Sequence, residues 1–433
     1  MRGPSPFRRV LYVSYDGMLE PLGESQVVAY LERLADRAAI TLLSFEKPAD
    51  LADAARVAAM RQRLDRAGIT WIARAYTKRP PVLSTAWDII VGCLAARRWA
   101  RAASAQHPAP GTEHHAPGTR HPAPGIVHAR GYVPALIALH VKRASGARFL
   151  FDMRGFWIDE KVEAGHWPAG GLLFRVGKWC ERRFFAEADA IVSLTAAGVR
   201  EFPKLGRVRE GVPIVVIPTC ADLDRFQPAA SASDEDARRR RQLGIDGAVV
   251  FGCVGTLSNW YLREETLSYL AWLSTRFERM KALIVTREDH DRLRADAARA
   301  GLPADRLVLA RAPFEEMPAL MRLMDAGVFF IRVCFSKRAS AATKLAEFLG
   351  CGVPVIINDG IGDSGDTVRA DGVGVVLPDT SRAAFAASEG AVRSLLADGG
   401  VAARCRATAV REFSLTEGAV RYAQLYDTLW AHA

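Results

Sequence analysis

Short apolar runs closed by glycine or polar residues recur along the 433-residue chain, with stretches of helical period between them. The first runs are 10–14, 40–45 and 69–73, then runs starting at 126 and 149, then 190–194 and 214–218. They lack the polar alternation of a half-exposed strand, so they read as strands covered on both faces. Apolar positions three and four apart predict helices over 49–67, 85–103 and 179–188, and from 133 onward. A second series of strands is expected at 248–254, 281–286, 307–309, 326–331, 353–357 and 374–377. Helices at 317–324, from 344, at 383–396 and at 413–430 separate or follow them. Strand and helix alternating in this way, twice over, predict an α/β protein with two doubly wound parallel sheets.

In such sheets ligands bind at the carboxyl ends of the strands. The stretch 335–366 concentrates polar chemistry there. Lys344 and Glu347 are three residues apart and share one face of the expected helix. That helix starts at the small run Ser340-Ala-Ala-Thr343, and its first-turn amides have no partner within the helix. A helix N-terminus beside a lysine suits phosphate, and a glutamate one turn on suits the hydroxyls of a ribose. Gly350, Gly352 and Pro354 end the helix, and 358–365 reads as a glycine-rich loop containing Gly362 and Asp363.

This stretch resembles the donor-binding signature of retaining GT-B glycosyltransferases, the family 4 group, also called glycosyltransferase group 1. The family pattern is a glutamate-x7-glutamate motif, small residues, Gly-x-Pro-Val and a glycine loop. Glu347 falls on the second glutamate, which the resemblance implies binds ribose. Ala339 stands where the first is expected. The likeness extends over nearly the whole chain. It implies two Rossmann-like domains facing a central cleft: 1–226 on the acceptor side and 227–412 on the donor side. A helix over 413–433 would cross back to the first domain. A nucleotide-sugar donor and a saccharide or lipid-linked acceptor are the implied ligands, with no cofactor and no metal.

Further donor-side candidates come from the same resemblance. Gly23 lies in the loop after the first strand, which would face the donor phosphates. Thr256 and Ser258, with the amides of the 255–261 loop, stand where the family has cations for the diphosphate. Arg287 ends a strand, and the loop near Arg311 and Phe314 would lie against the base. Pro218, Asp222 and Phe226 agree with the segment that closes the first domain, whereas Thr219 and Cys220 do not.

In the first half, two apolar strands end in charge. His128, Arg130, Asp152, Arg154, Asp159 and Glu160 would therefore gather at one crevice, and His128, Asp152 and Arg154 join Lys344 as candidate catalytic residues. The plain alternative is that Asp152 and Arg154, or Arg154 and Glu160, only pair with each other. The segment 107–125 repeats a His/Pro/Gly unit of low complexity and reads as a surface insertion without fixed metal-ligand geometry.

Composition narrows the partners. The net charge is +10, yet no zinc-ligand cluster or RNP-like strand is present, so anionic small molecules and an anionic bilayer fit better than nucleic acid. The expected helix over 85–103 mixes Trp87, Ile89, Ile90 and Leu94 with Arg97, Arg98, Trp99 and Arg101, which suits either a membrane surface or a packed helix with a basic end. Seven dispersed cysteines without a CxxC pair suggest reduced thiols and a cytoplasmic protein, with peripheral contact at the inner membrane surface. No stretch has the length of a membrane span.

The resemblance implies glycosyl transfer in cell-surface polysaccharide biosynthesis, with no protein nucleophile: the acceptor attacks on the leaving-group face. Two other readings compete. One is a UDP-sugar 2-epimerase of the same fold, and the other is a non-catalytic relative that binds nucleotide-sugar. Lys337 and Arg338, near Ala339, are expected to point to solvent, as long cationic side chains usually do.

Overall fold

The computed structural model describes residues 8–105, 125–229 and 234–431. The repeat at 107–124 lies outside the described residues. The chain forms two compact units, one of residues up to Ile217 with Gly418 onward, the other of Pro218–Glu417.

Unit 1 contains the strands β1 (Arg9–Ser14), β2 (Ala39–Glu46), β3 (Thr70–Ala75), β4 (Ile126–Arg130), β5 (Arg148–Asp152), β6 (Ala190–Ser193) and β7 (Ile214–Val216). Unit 2 contains β8 (Val249–Val254), β9 (Met280–Val285), β10 (Leu307–Ala310), β11 (Ala326–Phe329), β12 (Val355–Asn358) and β13 (Gly374–Leu377). Among the described residues the sheet orders are β3-β2-β1-β4-β5-β6-β7 and β10-β9-β8-β11-β12-β13, and every pairing within them is parallel. Both orders reverse direction once, between β1 and β4 and between β8 and β11. These are the switch points at which a doubly wound sheet opens a crevice.

The apolar runs are strands because both faces of each sheet are covered. Along β8, Val250 and Val254 belong to one core cluster of unit 2, and Phe251 and Cys253 to another. The two-residue period of a strand sends alternate side chains to opposite faces. A Cβ on Gly327 of β11 would lie 2.7 Å from the Phe348 ring, so the missing side chain lets the Thr343–Gly350 helix pack close to the sheet.

Three details differ from the sequence expectations. Residues 218–226, assigned to the first half, belong to unit 2. Leu223 and Phe226 are buried in the unit 2 core, and the Arg406 guanidinium donates to the carbonyls of Leu223, Phe226 and Gly350 at 3.0, 2.7 and 3.1 Å. A helix over Val401–Phe413 was not anticipated, and the last helix is Leu415–Ala431. The two are separated at Ser414 because the Ala221 backbone pairs with Phe413 and Leu415, at 2.9 and 3.1 Å, and holds Ser414 extended. The glycine loop after β12 is shorter than expected, since a helix over Ser364–Asp371 begins inside it. Residues of the last helix from Gly418 belong to unit 1.

Candidate functional site

In unit 2, Lys344 and Glu347 lie on the Thr343–Gly350 helix, which follows the switch-point strand β11. The helix starts after Ala342 with no side-chain cap; the Leu345 amide donates to the Ala342 carbonyl at 3.1 Å, which leaves the amides before it for another acceptor. Ser340 and Thr343 flank this start and are half-buried. The Lys344 ammonium donates to the Thr256 carbonyl at 2.7 Å and sits 3.4 Å from the centre of the Tyr261 ring. The lysine thus brings the helix start and the loop after β8 to one place, across the switch point.

The electrostatics mark the pair. Burial lowers the Lys344 pKa to about 8 against the pull of Cys253, Glu347 and Glu288. Burial raises the Glu347 carboxyl to about 7, with Lys344 opposing. Each charge is disfavoured where it stands, which is common at sites built to receive a charged ligand.

The loop after β8 is organised differently from expectation. One oxygen of Glu288 accepts from the Ser258 hydroxyl at 2.6 Å, from the Leu257 and Ser258 amides at 3.2 Å each, and from the Thr256 hydroxyl. Its other oxygen holds Arg263 at 2.7 Å. The hydroxyls of Thr256 and Ser258 therefore face the protein's own carboxylate. Glu288 stands in the kind of donor nest that would suit an anion.

The remaining donor-side candidates are spread more widely. Arg287 and Arg311 are exposed. Phe314 is half-buried, with its ring 5.8 Å from that of Phe226 and the Arg225 guanidinium 5.0 Å from its centre, so part of its face is already covered. Gly362 donates its amide to the Lys337 carbonyl at 2.9 Å, and Asp363 leads into the Ser364–Asp371 helix. The Asn358 side chain accepts from the Ile331 amide at 2.7 Å and donates to its carbonyl at 2.9 Å, which ties the ends of β11 and β12 together.

Lys337 corrects an expectation. It is 5 % exposed, and its ammonium lies 3.7 Å from the centre of the Trp260 ring, while Arg332 packs 4.5 Å from that ring. Arg338 is exposed, as expected. Ala339, where the family pattern has its first glutamate, is fully buried. Ala339→Glu is therefore expected to lower the melting temperature, since overpacking a core position costs about 1–3 kcal/mol and the carboxylate adds desolvation. Thermal unfolding followed by circular dichroism checks this.

In unit 1 the sequence candidates form a buried network. His128 and Asp152 are both fully buried. His128 Nδ1 is 2.7 Å from the Tyr426 hydroxyl, and its Nε2 is 3.4 Å from Asp152 Oδ2. The Tyr422 hydroxyl donates to the same Asp152 oxygen at 2.9 Å. Burial opposes ionisation of Asp152, but Arg154, His128 and Arg130 outweigh it and hold the carboxyl below its ordinary range. Arg154 is 3.9 Å from Asp152 Oδ1 and has a left-handed backbone, φ 54°. Arg130 faces Asp16 at 3.5 Å. The structure thus uses His128 and Asp152 to dock the last helix, and gives them no solvent-facing surface on which to meet a substrate. Tyr422 and Tyr426 are four apart and so share one helix face, a signal that was present in the sequence.

Gly23 is also structural. A Cβ there would lie 2.0 Å from the Gly17 carbonyl oxygen, so the close approach it permits is to the protein's own backbone. Asp159 pairs with Lys178 at 2.5 Å. Elsewhere in unit 1 a cavity of about 700 Å³ opens among the Leu83–Ala105, Tyr132–Ser145, Trp157–Glu163 and Leu172–Glu187 helices. Its walls include Ile89, Leu136, Trp157, Trp167 and Leu173, and no pattern in the sequence marked a cavity there.

The comparisons with known proteins agree with this architecture. The family model of the glycosyl transferase 4-like domain matches residues 25–220. No curated protein matches the chain in sequence. A glycosyltransferase from Rickettsia africae is similar in structure, with TM-score 0.66, 14 % identity, and coverage of 98 % of this chain and 99 % of that one. Anabaena HepE in complex with UDP and glucose is similar with TM-score 0.65 and 15 % identity, over 97 % of this chain and 99 % of that one. Sucrose-phosphate synthase from Thermosynechococcus elongatus gives TM-score 0.66 and 16 % identity, over 98 % of this chain and all of that one, 100 %. At these identities the structures speak for the fold. The chain is thus similar to a glycosyl transferase 4-like domain over residues 25–220 and shares the α/β GT-B fold of these structures.

Proposed function

We propose that the enzyme moves a glycosyl group from a nucleotide-sugar donor to a saccharide or lipid-linked acceptor, with retention at the anomeric carbon. Its place would be the cytoplasmic face of the inner membrane, in building a cell-surface polysaccharide or glycolipid. No helix among the described residues is long and apolar enough to cross a membrane, so contact would be peripheral.

The observation that carries the proposal is the Lys344–Glu347 pair beside an uncapped helix start at the switch point of the unit 2 sheet. A nucleoside diphosphate leaves with negative charge, and Lys344 with the first amides of its helix supplies positive potential for it. Glu347, one turn on, would accept from the ribose hydroxyls. In the reaction the bond from the anomeric carbon to the diphosphate oxygen breaks. The acceptor oxygen bonds to the same face of that carbon, and its proton passes to an oxygen of the departing diphosphate. Such a step needs no protein nucleophile.

HepE was solved with UDP, so UDP is the first nucleotide to test. Saturating UDP is expected to raise the melting temperature by several degrees, since a ligand at a hundred times its Kd adds about 2.7 kcal/mol to the native state. Glu347→Ala should abolish the rise. If a folded sample shows no rise with UDP, GDP, ADP or CMP, the donor site is not here.

A further inference from the structure

We infer that the unit 1 cavity holds the apolar chain of a lipid phosphate, the carrier of the acceptor, taken up from a bilayer on which this face rests. Of the thirteen exposed large hydrophobic residues among those described, eight lie on two short segments, 82–94 and 172–179. On the Leu83–Ala105 helix they are Leu83, Trp87, Ile90 and Leu94, one continuous stripe at helical spacing. On the Leu172–Glu187 helix they are Leu172, Val176 and Trp179, again one stripe. Each stripe runs into exposed arginines: Arg97, Arg98 and Arg101 on the first, Arg182 and Arg183 on the second. An apolar face that turns basic within one helix suits the boundary of an anionic membrane.

The cavity ties the two stripes together. Val82 and Val176 are at once exposed, at 50 % and 49 %, and part of its wall, so the stripes flank its mouth. A cavity of about 700 Å³ is of ligand size. Its lining is mostly apolar and aromatic, with Asp16, Glu20, Lys47 and His166 also on it, and Lys78 and Lys161 stand at its edge. No carboxylate among the described residues pairs with either. The two carboxylates that line the cavity are engaged by other cations: Glu20 holds Lys47 at 2.6 Å, and Asp16 faces Arg130 at 3.5 Å. Apolar walls, two cations at the rim and flanking membrane-ready stripes together select an amphiphile with an anionic head. Neither a free sugar nor a peptide strand meets all three.

The inference rests on the proposed transfer to a lipid-linked acceptor. Titration calorimetry with farnesyl phosphate, without detergent and below self-association, tests it. Saturable binding is expected, weakened at least tenfold by Ala86→Trp, which fills the mouth, and by the double variant Lys78→Glu/Lys161→Glu. Farnesol and inorganic phosphate should each bind at least tenfold more weakly. The inference is overturned if no saturable binding occurs, if the variants leave it unchanged, or if octyl glucoside competes as well as the phosphate. It is also overturned if sedimentation shows that a second copy of the chain masks the stripes. The UDP-induced melting shift, measured on the same samples, separates the two proposals. A shift without lipid binding sinks this inference alone, and lipid binding without any nucleotide shift sinks the donor reading alone.

Discussion

Lys344→Met is expected to lower kcat about 10²–10³-fold, the usual cost of removing one group that stabilises charge in the transition state. The melting temperature should stay unchanged or rise, because burial disfavours the lysine's charged form and its charge is therefore not what holds the fold. A turnover assay on the donor identified by thermal shift, run beside a melt, reads both numbers. Equal losses of stability and turnover would assign Lys344 a structural role instead. The pH dependence adds a sharper check. Lys344, at about 8, is charged below that pH, so affinity for a nucleoside diphosphate should fall as pH rises through about 8. Glu347, at about 7, accepts hydroxyl protons only when ionised, so affinity should fall as pH drops through about 7. The free pair then gives a bell-shaped affinity profile with its optimum between these two values. Lys344→Met should remove the alkaline limb and Glu347→Gln the acid limb. A flat profile between about pH 6 and 9 would disprove the pairing, since ordinary pKa values of these residue types lie outside that window.

Asp152→Ala is expected to destabilise unit 1 by about 3–5 kcal/mol, the range for removing one partner of a buried charged network. The lost carboxylate leaves Arg154, His128 and the Tyr422 hydroxyl without it. For a unit of this size each kcal/mol shifts the melting temperature by roughly 2–4 °C, so the fall is large. Tyr422→Phe removes only one bond to a charged oxygen and should cost about 1.5–3 kcal/mol. Were Asp152 instead a group that meets substrate, its variant would lose turnover at an unchanged melting temperature. The same network makes stability depend on pH. Burial holds His128 below its ordinary pKa, against the pull of Asp152, so the folded protein keeps the ring neutral. The unfolded chain takes up a proton near 6.5, so this contribution is complete above about pH 6.5 and is lost as pH falls below it. Asp152, held below its ordinary range, adds a second loss at lower pH, beginning as the unfolded carboxylate titrates near about 3.9. Urea titrations across this range measure both slopes.

The sequence by itself determined the fold class and the place of the helix that carries Lys344 and Glu347. Strands covered on both faces must be apolar along their whole length, and helices must carry their core face every third or fourth residue. Both patterns survive without knowledge of any partner. Lys344 and Glu347 were legible for the same reason: their relation is local, one turn apart on one helix. What only the tertiary structure decided depends on distant partners. His128 and Asp152 look like crevice residues until Tyr422 and Tyr426, almost three hundred positions later, cover them. Thr256 and Ser258 look like phosphate donors until Glu288 takes their hydroxyls. Lys337, expected in water, is held against Trp260 from another loop. The stripe of Leu83, Trp87, Ile90 and Leu94 has the same spacing as a buried face. Only the packing of unit 1, which leaves these side chains exposed, shows that they face outward.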